Sequence, residues 1–246
     1  MAKSLLSLRL CGYIALHLVK GTYALAKLIV VGDGETAELA YEYFTHDSGH
    51  EVVAFSVESA YKKKDSLFDL PVVAFEDVET LYPPAEFQAF VAISYTQLNR
   101  VRRRLFAETK AKGYSFVSYI SSKAFVWHNV QLGENCFIME NNVLQYAVKV
   151  GNNVVLWSGN HIGHQSIIRD NVFISSHVVV SGYCDVGENC FLGVNSSLAN
   201  NLTVAKDCLI GMGAVVHKDT EERKVYVGNP AKPLAKDSYT VFGVKE

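Results

Sequence analysis

From Ser118 to Asp219, every sixth residue of the chain is aliphatic, without exception over seventeen consecutive hexads. About half of all residues are apolar, so a single hit means little, but seventeen hits in succession are not expected by chance. The pattern therefore indicates an internal repeat. A period of six matches neither the 3.6-residue period of a helix nor the two-residue alternation of a strand. The aliphatic positions are Ile120, Val126, Leu132, Ile138, Leu144, Val150, Leu156, Ile162, Ile168, Ile174, Val180, Val186, Leu192, Leu198, Val204, Ile210 and Val216.

A second period of eighteen residues is superimposed on the first. It places a short polar side chain at Asn135, Asn153, Asn171, Asn189 and Asp207. Asn and Asp tolerate a left-handed backbone, and in register they can hydrogen-bond to one another. Three hexads therefore make one coil, and these residues mark a corner of a triangular prism of short parallel strands. Glycines two residues earlier, at Gly133, Gly151 and Gly187, are also expected at turn positions.

The chain ahead of the repeat alternates between predicted strands and helices. A buried strand at Lys27–Val31 leads into the loop Gly32-Asp33-Gly34-Glu35-Thr36 and a helix that extends to about Phe44. Glycines at a helix N-terminus let free amides face an anion, which predicts a phosphate-binding loop. A tight turn without a ligand is the alternative. A second strand, Glu51–Val57, ends at Glu58, where nucleotide-binding α/β folds often hold a ribose or base.

Further strands are predicted at 72–74 and 89–93, and helices at 76–81 and 97–112. Four arginines of the last helix, Arg100, Arg102, Arg103 and Arg104, are expected on a solvated face, with phosphate contact as the alternative. These elements predict a small Rossmann-like α/β domain at 27–115, a solenoid at 116–220 and a C-terminal cap and tail at 221–246.

Residues 1–26 form an extension of uncertain role. Their apolar run at 5–19 contains Arg9 and His17 and precedes Ala24-Leu25-Ala26, a pattern that partly resembles a signal peptide. The run is too short and too polar for a transmembrane helix. We favour an amphipathic extension or an upstream start over a working export signal.

Composition excludes several partner classes. The 246 residues are 49% hydrophobic and 20% charged, with a net charge of −2, so no basic field predicts binding to nucleic acid or to a membrane. Five cysteines lie at positions 11, 136, 184, 190 and 208. The last four precede an aliphatic position by two residues, which predicts core positions. No CxxC pair exists, and an odd, buried set of cysteines suits a reducing cytoplasm.

The hexads, together with the closing segment Val227-Gly228-Asn229-Pro230-Ala231-Lys232-Pro233, resemble the hexapeptide-repeat acyltransferases. With the N-terminal domain, residues 27–235 resemble one family among them: the nucleotide-sugar acyltransferases related to sialic acid O-acetyltransferase and bacillosamine N-acetyltransferase. The resemblance implies a left-handed parallel β-helix and a homotrimer with acetyl-CoA between neighbouring prisms. It also implies that the N-terminal domain holds the nucleotide sugar, through Gly32, Asp33, Gly34, Glu35, Thr36 and Glu58.

His164 occupies the place of the family's catalytic base. It follows the core position Ile162 by two residues, at a corner, and should point outwards. Gly182 lies one coil later, stacked on His164, and the resemblance makes its backbone amide an oxyanion donor. His161 is a possible auxiliary.

The chain departs from the bacillosamine type at two site positions. Phe173 stands where that type has a second histidine, and Gln165 where it has an acidic neighbour of the base. The acyl-CoA contacts implied by the resemblance are Gly182, Val194, Met212, Asn229 and Pro230.

The resemblance implies transfer of an acetyl group from acetyl-CoA to the amino group of a nucleotide-linked amino sugar in glycan biosynthesis. O-acetylation of a sugar hydroxyl uses the same base and remains an alternative. A zinc site like that of γ-type carbonic anhydrases requires two histidines five residues apart, and the solenoid has no such pair. A non-catalytic solenoid is the third class considered. No metal is expected, and a trimer is expected from outward apolar residues such as Val143, Trp157 and Val179.

Overall fold

The computed structural model of the chain describes residues 14–15 and 25–245. Most of the extension 1–26 therefore lies outside the described residues. Strand β1, Ile14–Ala15, pairs antiparallel with Gln131–Leu132. No helix between residues 25 and 245 has the length and apolar character needed to cross a bilayer.

The N-terminal domain is a five-stranded sheet with helices around it. The strands are β2 (Lys27–Val31), β3 (Glu51–Val57), β4 (Ser66–Leu67), β5 (Leu70–Ala74) and β6 (Gln88–Val91), in the order β4-β5-β3-β2-β6. The helices are α1 (Glu35–Asp47), α2 (Val78–Leu81) and α3 (Arg100–Ala111), with a short 3-10 turn at Phe75–Asp77. All neighbours pair in parallel except β4, which is antiparallel at the edge. The inner strand β2 is buried from Leu28 onwards, which explains its continuous apolar run.

Helix α3 begins three residues later than the pattern predicts. Gln97, Leu98 and Asn99 all have left-handed backbones, with φ between 50° and 67°, so they form a turn and not a first helical turn. Leu98 and Asn99 are buried, and the Asn99 amide donates to the carbonyl of Asn189 at 3.0 Å. This contact with the solenoid explains why the helix does not begin before Arg100.

The solenoid contains seventeen two-residue strands, and each of them ends at one of the predicted aliphatic positions. They form three parallel sheets, which are the faces of a triangular prism. We call them face 1, face 2 and face 3. Face 1 contains Tyr119–Ile120, Phe137–Ile138, Val155–Leu156, Phe173–Ile174, Phe191–Leu192 and Leu209–Ile210. Face 2 contains Phe125–Val126, Val143–Leu144, His161–Ile162, Val179–Val180, Ser197–Leu198 and Val215–Val216. Face 3 contains Gln131–Leu132, Lys149–Val150, Ile167–Ile168, Asp185–Val186 and Thr203–Val204.

The predicted corner residues have left-handed backbones, with φ from 55° to 62° at Asn135, Asn153, Asn171, Asn189 and Asp207. They form edge 3–1, between faces 3 and 1. The ladder of side-chain hydrogen bonds is present: Asn135 donates to Asn153 at 2.8 Å, and Asn153 donates to Asn171 at 2.8 Å. The eighteen-residue coil is thus confirmed.

The preceding glycines lie in the turns between strands, as predicted, but a left-handed backbone is not the reason. Gly133, Gly151 and Gly187 do not have positive φ. Instead, a Cβ at Gly133 would lie 2.6 Å from Asn152 Oδ1, and a Cβ at Gly187 would lie 2.5 Å from the backbone nitrogen of Lys206. Glycine is required there because successive coils approach each other closely.

Four cysteines, Cys136, Cys184, Cys190 and Cys208, are free and buried in the core of the prism, as predicted. Burial raises the pKa of the Cys136 thiol to about 11. A thiol with so high a pKa is not a nucleophile at neutral pH.

Face 1 carries the N-terminal domain. Phe137, Val155 and Phe173 share an apolar cluster with Phe44 of α1 and Phe90 of β6. Face 1 is therefore covered by the chain itself, while faces 2 and 3 are not covered by this domain.

The arginines of α3 correct the prediction of a solvated face. Arg102 is 1% exposed and donates to the carbonyl of Asn171 at 2.9 Å and to that of Ser94 at 3.3 Å. Arg100 forms an ion pair with Asp207 at 2.7 Å. Both side chains anchor the N-terminal domain to edge 3–1, where backbone carbonyls accept hydrogen bonds from Arg102 and one carboxylate pairs with Arg100. Of the four arginines, only Arg103 and Arg104 are exposed and lie on a solvated face.

The C-terminal segment closes the prism and then returns to the domain interface. Val225–Val227 extends face 1 and pairs antiparallel with Lys232–Pro233. A short helix that the pattern did not predict, α4 (Ser238–Phe242), follows. Its Tyr239 hydroxyl donates to Asp207 at 2.7 Å, so Asp207 holds both α3 and α4.

Candidate active site

The predicted phosphate-binding loop lines a cleft of about 620 Å³ between the N-terminal domain and the prism. Gly32, Asp33, Gly34, Glu35 and Thr36 lie on one side. They follow β2, so the cleft is at the carboxyl end of the sheet, where open α/β folds bind their ligands.

Two glycines of this loop serve different purposes. Gly32 has φ of +128°, and a Cβ there would lie 2.7 Å from the carbonyl oxygen of Ala92, so a larger residue would strain the loop. Gly34, the N-cap of α1, has no neighbour within 4 Å of its Cβ position and no side-chain cap. The start of α1 is therefore open at this residue, and the amides of a first helical turn, at the positive end of the helix, favour an anion.

The opposite wall of the cleft comes from the prism and from the loop after β6. Trp157, Phe173 and Tyr95 give it an aromatic surface. The Phe173 and Tyr95 rings are 5.2 Å apart at 75°. Ser175 and Ser176 add hydroxyls at the edge between faces 1 and 2, which we call edge 1–2.

Two predicted residues lie elsewhere than expected. Glu58 does not line the cleft; it forms a two-point ion pair with Arg104, at 3.0 and 2.9 Å. Val194, expected to meet coenzyme A, does line the cleft that holds the predicted phosphate loop. Val194 lies on edge 1–2, and the two predicted ligands would thus meet at this edge.

Met212, Asn229 and Pro230 continue the same line towards the C-terminal end of the prism. Met212 follows Val194 by one coil and is 82% exposed. Asn229 and Pro230 are exposed in the segment just beyond, where Ala231 donates its amide to the carbonyl of Val215 at 2.8 Å. The expected acyl-CoA contacts outside Gly182 therefore form one row along edge 1–2.

His164 lies in the turn between faces 2 and 3, which we call edge 2–3, and its side chain is exposed as predicted. The side-chain oxygen of Gln145 accepts from the His164 backbone amide at 3.0 Å and lies 3.4 Å from Nδ1. Because this oxygen only accepts, it favours the tautomer with the proton on Nδ1 and the lone pair on Nε2. Gln145 thus orients the imidazole.

Gly182 is stacked against His164, as the eighteen-residue period predicts. A Cβ at Gly182 would lie 2.6 Å from Cε1 and 2.7 Å from Nε2 of the imidazole, so only glycine leaves room for the ring. The predicted open amide, however, is not open: it donates to Asn200 Oδ1 at 2.9 Å. Asn200 lies one further coil along, which repeats a side-chain-to-amide bond seen at other turns.

The two halves of the predicted site occupy different edges of the prism. The cleft lies at edge 1–2 and His164 at edge 2–3, with face 2 between them. A prism side of six residues, at about 3.3 Å each, spans roughly 15–20 Å. His161 lies on face 2 itself, between Val143 and Val179 on the neighbouring strands.

Sequence reasoning missed Gln145, Asn200, Tyr95 and the two serines. The eighteen-residue period could have indicated two of them, because Gln145 lies 19 residues before His164 and Asn200 lies 18 residues after Gly182. Tyr95 had no such signal, since it belongs to an irregular loop. Among residues 25–245, no three His, Cys, Asp or Glu side chains converge in a way that would hold a metal ion.

A profile of the family described as "Bacterial transferase hexapeptide (six repeats)" matches residues 147–182, which include His164 and Gly182. The solved structures that resemble this chain include a perosamine N-acetyltransferase from Caulobacter crescentus, in complex with CoA and GDP-perosamine. It is 24% identical, with a TM-score of 0.78 over 88% of this chain and 100% of that one. The acetyltransferase domain of PglB from Neisseria gonorrhoeae is 25% identical, with a TM-score of 0.76 over 85% of this chain and 100% of that one.

A second structure of the PglB domain contains acetyl coenzyme A and has a TM-score of 0.77 at 24% identity. The likeness extends over both parts of the chain, the α/β domain and the prism. The chain therefore has the fold of these acetyltransferases, a left-handed parallel β-helix of hexapeptide repeats preceded by an α/β domain.

Proposed function

We propose that this protein transfers the acetyl group of acetyl-CoA to the amino group of a nucleotide-linked amino sugar in the biosynthesis of a glycan. The observation that carries the proposal is the cleft in which the Gly32–Thr36 loop faces the aromatic wall of edge 1–2. The similar structures support it, since one holds CoA with GDP-perosamine and another holds acetyl coenzyme A. Acetyl-CoA is a cytoplasmic metabolite, which favours a cytoplasmic protein.

The cleft suits a sugar nucleotide. A diphosphate would accept from the free amides at the start of α1, as helix N-termini commonly bind phosphate. The apolar face of a sugar ring would pack on Trp157 and Phe173. Acetyl-CoA would then run along the exposed row of Val194 and Met212, with its thioester near the sugar.

In this proposal the base comes from a neighbouring subunit. His164 lies on a different edge from the cleft of its own chain, and packing of face 2 against a second prism in a homotrimer would bring the two together. Face 2 supports this arrangement, because Phe125 and Val179 on it are 51% and 42% exposed. An apolar face of this kind is typical of a surface that a partner covers.

The chemistry follows from the imidazole. The sugar amine attacks the thioester carbonyl, Nε2 of His164 takes a proton from the nitrogen, and coenzyme A leaves as the thiolate. A positioned base contributes on the order of 10²–10⁴-fold and an oxyanion donor about 10²–10³-fold. For the Gly182 amide to be that donor, the Asn200 side chain must give up its 2.9 Å bond. Phe173 provides no second base, and His161 on face 2 is the available auxiliary.

The test is a thiol-release assay with acetyl-CoA and UDP-, dTDP- and GDP-linked 4-amino sugars. His164→Ala should lower kcat at least about 10²-fold while the trimer and its Tm persist, because the side chain is exposed. His161→Ala is the comparison variant: retention of most of its activity would limit His161 to an auxiliary role. Loss of activity in His161→Ala with near-normal turnover in His164→Ala would make His161 the base. Intact coenzyme A binding without turnover of any amino sugar would contradict the proposal.

A further inference from the structure

The left-handed positions of the prism are not chemically equal. At edge 3–1 all five are Asn or Asp. At edge 2–3 the corresponding column is Ala147, Gln165, Tyr183 and Asn201, with φ of 56°, 57°, 59° and 61°. Only Asn201 in this column is of the type that tolerates such a backbone well. The departures therefore concentrate at the edge that carries His164.

Tyr183 is the largest departure. A bulky aromatic residue with positive φ is uncommon and strained. Its backbone has little freedom to relax, because its amide donates to the carbonyl of His164 at 3.0 Å. Strained residues of this kind persist chiefly where surrounding structure and function retain them.

The Tyr183 side chain contacts the proposed base. The centroids of the Tyr183 and His164 rings are 5.1 Å apart at 86°, an edge-to-face arrangement. The imidazole is thereby confined on three sides: by Gly182 on the next coil, by Gln145 near Nδ1, and by the Tyr183 ring. Tyr183 itself remains 53% exposed, so burial in the prism does not explain an aromatic residue here.

We propose that Tyr183 is a positioning residue for His164, which holds the imidazole against Gly182 and keeps its Nδ1 directed at Gln145. This inference rests on the proposed role of His164 as the base. An exposed imidazole would otherwise rotate among several rotamers and lose the Gln145 contact that selects its tautomer. The strained backbone is retained because the ring is needed at this position.

Tyr183→Asn and Tyr183→Phe separate the two properties of the residue. Asparagine suits the left-handed backbone, so Tyr183→Asn should raise Tm by about 2–4 °C. It should also lower kcat about ten-fold, with the KM for both substrates changed less than about two-fold, because misplacement of a catalytic group costs rate more than binding. Tyr183→Phe keeps the ring and should retain kcat within about two-fold. Ala147→Asn, two coils away in the same column, is the control: Tm should rise and kcat should not change.

A measurement without substrate distinguishes this proposal from the proposed function. In ¹⁵N-histidine spectra, His164 of the unaltered chain should show the Nδ1–H tautomer, and Tyr183→Asn should give a mixture of tautomers. That result would support the positioning role even if the acceptor has been misidentified. An unchanged tautomer and kcat in Tyr183→Asn, or an equal loss of kcat in Tyr183→Phe, would overturn it.

Discussion

A shared active site can be tested by mixing two inactive variants. His164→Ala removes the proposed base at edge 2–3 and leaves the cleft at edge 1–2 intact. Gly34→Trp fills the cleft and leaves the base intact. The tryptophan should be tolerated by the fold, because nothing lies within 4 Å of the Cβ position of Gly34. The two changes therefore damage different edges of the same chain.

The expected recovery follows from counting. If each site takes its cleft from one subunit and its base from the next, a mixed trimer contains one intact site in three. Random assembly from equal amounts makes about three quarters of the trimers mixed, and purification through two different tags isolates these, so about a third of the sites of an unaltered trimer should be intact. Each variant alone should retain at most about one hundredth of the activity.

The assay is thiol release by the two proteins co-expressed with different tags and purified through both. Mixing purified trimers without subunit exchange is the control and should show no gain. Gly34→Ala is the control for side-chain size. Alanine is small enough to leave the cleft open, so this variant should be active by itself. Activity of the mixed trimers no greater than the sum of the two variants would refute the shared site.

Three further outcomes are expected. Arg102→Met should lower the free energy of unfolding by about 2–4 kcal/mol, because it leaves the buried carbonyls of Asn171 and Ser94 without a donor, while the exposed Arg103→Met should change it by less than about 0.5 kcal/mol in urea titrations. Burial by itself would raise the pKa of Asp47, but hydrogen bonds from Ser122, Tyr119 and Ser121 outweigh burial and lower the pKa below its usual 3.8. Charged Asp47 therefore stabilises the fold at neutral pH, and this stabilisation is lost as the pH falls through the lowered pKa. Calorimetry should accordingly show a lower Tm for Asp47→Asn at pH 7 and a shrinking difference towards acid pH; a difference independent of pH would contradict this account. Phe242→Ala should raise the KM for the sugar nucleotide several-fold and spare that for acetyl-CoA, because Phe242 packs 6.1 Å from Tyr95 of the cleft; equal effects on both constants would show that α4 acts elsewhere.

The prism could be predicted nearly residue by residue because its two periods are set by local geometry. One aliphatic residue per strand must fill the core, and one residue per turn must accept a left-handed backbone, so both requirements appear directly in the sequence. Stacking of His164 on Gly182 followed from the same periods. The hydrogen bond from Gly182 to Asn200 did not follow, because period alone does not say which turn amides already have a partner.

The interface between the two parts of the chain could not be predicted, for a physical reason that the arginines illustrate. Arg102 and Arg104 lie two residues apart on one helix, yet the first is buried against backbone carbonyls of the prism and the second is exposed beside Glu58. A backbone carbonyl leaves no trace in side-chain composition, so the sequence gives no sign of the acceptor that makes burial of Arg102 tolerable. Burial lowers the pKa of Arg102 to about 9, and no carboxylate lies within ion-pair distance of it among residues 25–245.

That uncompensated charge connects the interface to the proposed chemistry. Arg102 donates to the carbonyls of Ile93 and Ser94, two residues that line the cleft, and its guanidinium lies 5.7 Å from the centre of the Phe173 ring on the opposite wall. A buried cation without a counter-charge attracts anions over several ångströms, since little water screens it. The same residue that joins the domains would thus favour a diphosphate in the cleft. An Arg102→Lys variant keeps the charge but has fewer donors. In calorimetric titrations at a temperature where both variants are folded, it should bind a nucleoside diphosphate more tightly than Arg102→Met. Equal affinities would assign Arg102 to docking alone.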